Sequence, residues 1–448
     1  MTHSEGPAAQ TARQGWRAVI ILAIAYIFSY MDRQILSLLI EPIRHDLQIS
    51  DTQISLLTGL AFAICYSTTA LPMGRLADLG NRRNLIAAGV LVWSAMTAAC
   101  GLAQNFAQMF VARMGVGVGE AALPPAAYSM IADYFPPQRL ALAMSIFVIG
   151  APLGGGLALI AGGSLVGIVA TLPEIMLAGV AVRPWQLVFL TIGGAGLAVS
   201  ALVLAIREPT RGRQTLDIGG DHPSVADVAR HMSARAPLFA PLLIGLSLGN
   251  VFNYGYMAWL PTLFIRAHGW TLTQAGLGVG TLIMACGCLG AVCGGLLVGR
   301  LYRNGHPDAC LRSTILGAMV LLPTSALAPL VGPPGLALAL AGPVLFAIFM
   351  NAAVFPTLIQ MVTPAPIRGQ VSAACLLVTN LAGLGLGPTA YALTGDYVFG
   401  QPEGLRLALS VVSAALLAVT LVCYWRARPH YRTEAAAIAQ EAEGRLSV

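Results

Sequence analysis

Long apolar runs alternate along this chain with short polar or charged punctuation. Each run comes close to, or exceeds, the roughly 20 residues an α-helix needs to cross a hydrocarbon core. Twelve helices are expected, over 16–40, 54–76, 84–104, 106–134, 139–165, 185–206, 239–266, 272–300, 310–330, 336–363, 368–393 and 405–426. The period-2 alternation of a membrane β-barrel is absent from these runs. The pattern therefore predicts an all-α, polytopic membrane protein with twelve transmembrane helices. The first run carries Asp32 and Arg33 and is too long for a cleavable leader, so it is read as helix 1.

The polar punctuation orients the helices. Nineteen arginines fall in loops and tails on one side, against Arg44, Arg183, Arg266 and Arg406 on the other. The positive-inside rule then puts both termini in the cytoplasm, as an even helix count requires, and the expected location is the cell inner (plasma) membrane. The longest hydrophilic stretch comes after helix 6 and divides the chain into an N-terminal six-helix bundle (1–206), a cytoplasmic linker (207–238), a C-terminal six-helix bundle (239–427) and a cytoplasmic tail (428–448). Within the linker, Ser224 to Ala234 reads either as a short amphipathic helix on the membrane surface, with Val225, Val228 and Met232 on one side, or as a flexible linker.

Composition narrows the function. The chain has 448 residues, 57% hydrophobic and 10% charged, with a mean hydropathy of +0.75, which no soluble domain of this length matches. The formal charge of +6 comes with no lysine and no basic cluster, so a nucleic-acid partner is not expected. The eight cysteines lie in or beside apolar spans without CxxC or Cys/His spacing, so neither a metal site nor another cofactor is expected. The seven histidines fall in loops or tails and there is no nucleophile–base pair, which argues against an intramembrane enzyme. The longest loop is too small for the extramembrane domain of a sensor, and no nucleotide-binding loop is present to drive transport with ATP.

Against this background the charges inside spans stand out. Asp32 and Arg33 lie in helix 1, and Arg113 and Glu120 in the apolar stretch from Phe106 to Phe135. A charge at the bilayer centre costs roughly 2.5 to 3.5 kcal/mol on insertion scales, so such groups turn inward and pair or line a watery cavity. Arg113 and Glu120 are seven residues apart, close to two turns, and leave the same helix face about 10 Å apart. Asp32 and Arg33 are adjacent and point about 100° apart. These two acids and two bases read as the working parts of a transport pathway. The glycines between them, Gly115, Gly117 and Gly119, have no strand before them, so helix packing explains them better than a nucleotide loop does.

Sequence matches between the halves point to duplication: Gly74-Arg-Leu-Ala-Asp78 with Gly295-Leu-Leu-Val-Gly299-Arg300, Pro137-Gln-Arg139 with Pro366-Ile-Arg368, and glycine–proline runs at 150–156 and 383–388. Such repeats are typical of transporters whose halves rock about a central site. The turn Gly74-Arg-Leu-Ala-Asp78-Leu-Gly-Asn81-Arg82-Arg83 resembles the loop motif of the major facilitator superfamily, with Asn81 where a glycine is usual. That resemblance implies the major facilitator fold, two pseudo-symmetric six-helix bundles, and a cytoplasmic gate made by Gly74, Asp78, Arg82 and Arg83. With Tyr30-Met-Asp32-Arg33-Gln34, Arg113-Met-Gly-Val-Gly-Val-Gly-Glu120 and Ile131-Ala-Asp-Tyr-Phe135, residues 26–160 resemble the spinster branch, whose animal members export lysolipids and sphingosine phosphate. The run from Gly150 to Gly156 is similar to the helix 5 motif of proton-driven antiporters, with Ala151 in place of a glycine.

The spinster resemblance implies a proton-coupled antiporter in which Asp32 titrates, Arg113 is its partner and Glu120 is a second acid. A static ion-pair cluster that fixes helix packing is the structural alternative. The second half has no charge deep in a span, and its candidate substrate contacts are Tyr254, Trp259, Asn351, Thr357, Gln360, Thr379 and Asn380, beside Arg113 and Glu120. A cavity charged on one wall and mostly apolar on the other suits an amphipathic molecule. The expected partners are that small molecule, protons and the bilayer, with the protein acting as a monomer; the alternative is a multidrug or small-metabolite proton antiporter of the same fold.

Overall fold

The computed structural model describes residues 7–135, 137–169, 175–177, 180–209, 225–364, 367–400 and 404–446. Its helices are α1 (Pro7–Leu38), α2 (Ile40–Leu47), α3 (Asp51–Ser55), α4 (Ala61–Leu79), α5 (Arg82–Leu102), α6 (Phe106–Glu120), α7 (Leu123–Tyr134), α8 (Pro137–Val148), α9 (Gly150–Val169) and α10 (Pro184–Leu204). They continue as α11 (Val225–Ala234), α12 (Ala236–His268), α13 (Leu272–Arg303), α14 (Ala309–Leu327), α15 (Pro334–Gln360), α16 (Arg368–Leu393) and α17 (Gly404–Leu446). The departure from an all-helical chain is a short antiparallel ribbon between α9 and α10, β1 (Ile175–Leu177) and β2 (Val180–Val182), with Ile175 opposite Val182.

Among the described residues, eleven helices are long and apolar enough to cross a membrane. The remaining predicted span, 106–134, is broken into α6 and α7. Pro124 and Pro125 open α7 and lack the N–H groups that would bind the carbonyls of Glu120 and Ala121, so the ladder stops there. Ala121 and Ala122 instead close the end of α6 on Gly117 and Gly119. Irregular backbone at membrane depth is tolerated where protein buries it, and Glu120 through Leu123 are buried.

Contacts divide the chain into two units, Met1–Gly219 with Trp270–Thr281, and Gly220–Gly269 with Leu282–Val448. The boundary therefore differs from the expected 239–427 bundle: α11 belongs with the second unit, and the start of α13 packs on α9 in the first, where Thr273 Oγ1 donates to the Gly163 carbonyl at 2.8 Å. The expected duplication shows in the packing. In the first unit α1 lies on α9, and α5 on α10 and α6; in the second, α12 lies on α16, and α14 on α17 and α15. Helices α5 and α6 approach so closely that a Cβ on Gly119 would sit 2.6 Å from the Trp93 nitrogen and 2.7 Å from the Gly89 carbonyl oxygen.

The linker and tail also have more structure than their polarity suggests. Residues Val225–Ala234 are helical, but Val228 is buried in the core of the second unit with Met232 packed against it, so these two face protein instead of a membrane surface. The expected tail from 428 is helical through Leu446 as the continuation of α17. Arg428 holds Asp308, Tyr431 donates to the Leu358 carbonyl, and Glu434 receives Arg235. These contacts anchor polar sequence that reads, by composition alone, as solvated chain.

Asp308 is fully buried between two cations, with Arg312 Nε at 2.8 Å and Arg428 Nε at 3.0 Å. Burial pushes its carboxyl up, but the hydrogen bonds and charges of Arg428 and Arg312 outweigh burial and hold it below the ordinary 3.8. A lowered folded-state value means that this site stabilises the fold above pH 3.8 and loses that contribution as pH falls through the folded value. Asp308→Asn is expected to cost about 2 kcal/mol at neutral pH. Thermal unfolding of both proteins in detergent should show the gap at pH 7 and its disappearance at strongly acid pH.

Candidate functional site

The predicted charges of the first unit come together. Asp32, Arg113 and Glu120 are each at most 2% exposed. Their pairing, however, differs from the expectation that Arg113 partners the Asp32 carboxylate. Glu120 Oε2 accepts from Arg33 Nε at 2.6 Å and from Ser29 Oγ at 2.7 Å. Arg113 instead reaches main-chain oxygens, the Asp32 carbonyl from Nη1 at 3.3 Å and the Leu57 carbonyl from Nε at 3.5 Å. Among the described residues neither Asp32 nor Arg113 makes an ion pair, and Asp32 Oδ1 is buried without a hydrogen-bond partner.

One of the carbonyls that Arg113 reaches lies in irregular helix. Residues Leu56–Leu60 form a π-helical turn between α3 and α4. A π-turn shifts each amide's acceptor to the fifth residue back. Leu57 lies in that turn, and its carbonyl accepts from Arg113 Nε. Arg33 is held differently, with the rings of Phe62 and Tyr66 each centred 4.7 Å from its guanidinium carbon and that of Tyr30 at 5.1 Å. A cation among three aromatic faces gains about 0.5 to 2 kcal/mol per favourable ring. The cage was legible only as spacings, Tyr30 three residues before Arg33 and Phe62 four before Tyr66; nothing in the sequence brings the two helices together.

The motif expected to form a gate shows a second network. Arg82 is 1% exposed and donates to Asp133 Oδ2 at 2.5 Å, Ser129 Oγ at 2.9 Å, Glu208 Oε1 at 2.8 Å and the Pro209 carbonyl at 3.2 Å. The Arg83 amide donates to Glu208 Oε2 at 2.9 Å, and Asn81 caps α5 by accepting from the Asn84 amide. Arg82 thereby ties the start of α5 to the end of α7 and to the chain leaving α10. Asp133 lies in the Ile131–Phe135 motif, whereas Glu208, after the sixth predicted span, carried no signal. Asp78 is exposed at the end of α4. No atom lies within 4 Å of the place a Cβ would take at Gly74, so close helix approach does not explain that glycine.

The candidates of the second unit do not form one constellation. Trp259 is fully buried and its Nε1 donates to the Pro388 carbonyl at 2.9 Å; Thr379 is fully buried and bonds back to the Cys375 carbonyl at 2.8 Å. Both serve bundle packing in this structure, because a buried donor takes the nearest helix carbonyl. Asn380 accepts from Asn250 at 3.4 Å, and Tyr254 packs beside Gly383 and Gly387 of α16. Asn351 is half-buried against Gly317, with its Oδ1 unpartnered, and Thr357 and Gln360 are exposed near the end of α15. No His/Cys/Asp/Glu group able to hold a metal occurs among the described residues.

Comparison with known proteins gives the same fold. The sequence profile described as "Major Facilitator Superfamily" matches residues 22–388. An "MFS-type efflux pump" of Mycolicibacterium smegmatis is 29% identical over 428 residues, covering 94% of each chain. The "probable L-galactonate transporter" of Escherichia coli K12 is 27% identical over 303 residues, 64% of this chain and 62% of its own. Among solved structures, a bacterial homologue of the human lysosomal transporter spinster, in an inward-facing and occupied conformation, superposes with a TM-score of 0.79 at 24% identity, covering 96% of this chain and 99% of that one.

Proposed function

Because this chain belongs to the Major Facilitator Superfamily, as a transporter and not an enzyme, we propose that it is a proton-coupled antiporter of an amphipathic, lipid-like anion or zwitterion. Alternating access in the inner membrane, by a monomer with both termini cytoplasmic, belongs to the same proposal. The observation that carries it is Asp32: a buried carboxyl with an unpartnered oxygen, beside an arginine that directs its hydrogen bonds to main-chain carbonyls. Neither group has the fixed counter-ion that a purely structural cluster would require.

Loss of a proton from Asp32 places a negative charge next to Arg113 and draws that guanidinium from the Leu57 and Asp32 carbonyls toward the carboxylate. Proton uptake returns Arg113 to the carbonyls and to any anionic headgroup within reach. A bias of a few kcal/mol is enough to exchange two conformations. The Arg33–Glu120 pair then serves as a second, caged element on the pathway, with Glu120 as the second acid. A buried arginine suits a carboxylate as well as a phosphate. For that reason, and because relatives are named as an efflux pump and a sugar-acid transporter, a drug or small organic anion is the second reading.

The test uses purified protein in liposomes under an imposed pH gradient, with labelled lysophospholipid and, separately, L-galactonate as the transported probes. Wild-type lipid flux should track the gradient, and Asp32→Asn should lose that dependence while still binding lipid. Gradient-driven movement of L-galactonate without lipid movement would move the assignment to the second reading. Flux indifferent to pH, with Asp32→Asn equal to wild type, would show the cluster to be structural.

A further inference from the structure

We propose that the end of α17 holds the headgroup of an anionic phospholipid between Trp425, Arg426 and Arg432. The outward face of α17 is a continuous stripe. Val411, Val419, Val422 and Trp425 are 49–55% exposed, Ala415 and Ala418 lie between them, and Arg426, Pro429 and Arg432 continue the same face. These positions recur at three and four residues, so they stack along one side of the helix. Ten residues separate Ala415 from Trp425, about 15 Å of helix, or one leaflet of a hydrocarbon core of about 30 Å. An acyl chain lying on the stripe would put its glycerol at the indole ring and its phosphate at the arginines.

Charge argues for an anionic lipid over a zwitterionic one. Two acids beside this part of α17 are already engaged among the described residues, Asp308 by Arg312 and Arg428, and Glu434 by Arg235. Arg426 and Arg432 are exposed and make no ion pair among the described residues. Arg428 does not compete for the lipid, because its guanidinium is bound to Asp308 and sits 5.7 Å from the Trp425 ring, which it helps to orient. Two arginines without an ion pair among the described residues, six residues or about 1.7 turns apart, thus lie beside an interfacial tryptophan. Arginine binds phosphate through a planar fork of donors, which makes phosphate oxygens the fitting acceptors.

The experiment compares phosphatidylglycerol and phosphatidylcholine retained by the full-length protein, released from mixed micelles and weighed intact by native mass spectrometry. An arginine near an anionic surface contributes about fivefold in binding, so Arg426→Gln/Arg432→Gln should retain phosphatidylglycerol about thirtyfold more weakly. Phosphatidylcholine should change little. The control is Arg300→Gln/Arg303→Gln, which removes the same charge from the exposed end of α13. Retention equal to wild type, or a loss matched by the control, would overturn the proposal, the latter because net charge alone would then explain it. If the double variant is not recovered folded, Arg432→Gln alone should show the fivefold loss, and its absence would overturn the proposal equally.

Discussion

Replacing Glu120 by leucine should destabilise the first unit by about 3 to 5 kcal/mol, more than replacing both Glu120 and Arg33 by leucine together. The reason lies in burial. Glu120 is fully buried and Arg33 is 14% exposed, so removing the acid leaves the guanidinium charge in place without the carboxylate 2.6 Å away. The rings of Phe62, Tyr66 and Tyr30 compensate only part of that loss. Removing both charges takes away the desolvation cost as well, and apolar replacements of similar size fill the space. Thermal unfolding of the two single variants and the double variant forms a double-mutant cycle. Transport by the double variant separates structure from function: a stable protein that no longer couples flux to a pH gradient assigns the pair to the pathway. A stable and fully active double variant would make it a packing device.

Arg82→Ala is expected to have a similarly large effect through a different site. Arg82 is 1% exposed and satisfies Asp133, Ser129, Glu208 and the Pro209 carbonyl from one guanidinium. Alanine would leave two carboxylates, on α7 and after α10, facing each other without their shared cation, at a cost of about 3 to 5 kcal/mol. Lysine carries the charge but not the fork of donors, so Arg82→Lys should recover less than half of the loss. The check is thermal unfolding of the three proteins in one detergent. Full recovery by lysine would mean that charge alone, and not the four-way geometry, holds these helix ends. As the proposed gate, the same residue should also slow transport by Arg82→Ala at temperatures where the variant is still folded.

Asp308 gives a contrast within the second unit. In the first unit a cation at the start of α5 receives two acids; in the second an acid at the start of α14 receives two cations. Helices α5 and α14 hold equivalent places in the duplicated packing, against α10 and α17 respectively. The two halves thus tie the corresponding helix end with a three-charge cluster of opposite sign. The matched glycines and prolines showed the repeat in the sequence, but the inverted ion pairs are far apart in the chain, 126 residues for Arg82 and Glu208 and 120 for Asp308 and Arg428. Local spacing announces only the Asp308–Arg312 pair, four residues apart on one helix end.

Solvent and period account for everything that was legible before folding. Apolar runs of membrane-spanning length identified the helices, their charged residues marked the cluster on α1 and α6, and the loop motif located Arg82. These are local properties: a run of about 20 apolar residues must be a helix in lipid whatever it packs against. The break at Glu120 was also within reach, because Pro124 and Pro125 remove two amides regardless of fold, although apolarity masked it.

Partners, by contrast, were settled only in three dimensions. Glu120 of α6 meets Arg33 of α1, Arg113 meets the Leu57 carbonyl, and Trp259 and Thr379 turn into their own bundle. The continuation of α17 past 428 is tied by Tyr431 to α15 and by Glu434 to Arg235 at the start of α12. The physical reason is common to all of these. Side chains of similar local environment have several possible acceptors, main-chain carbonyls among them, and the choice depends on which helix face lies opposite.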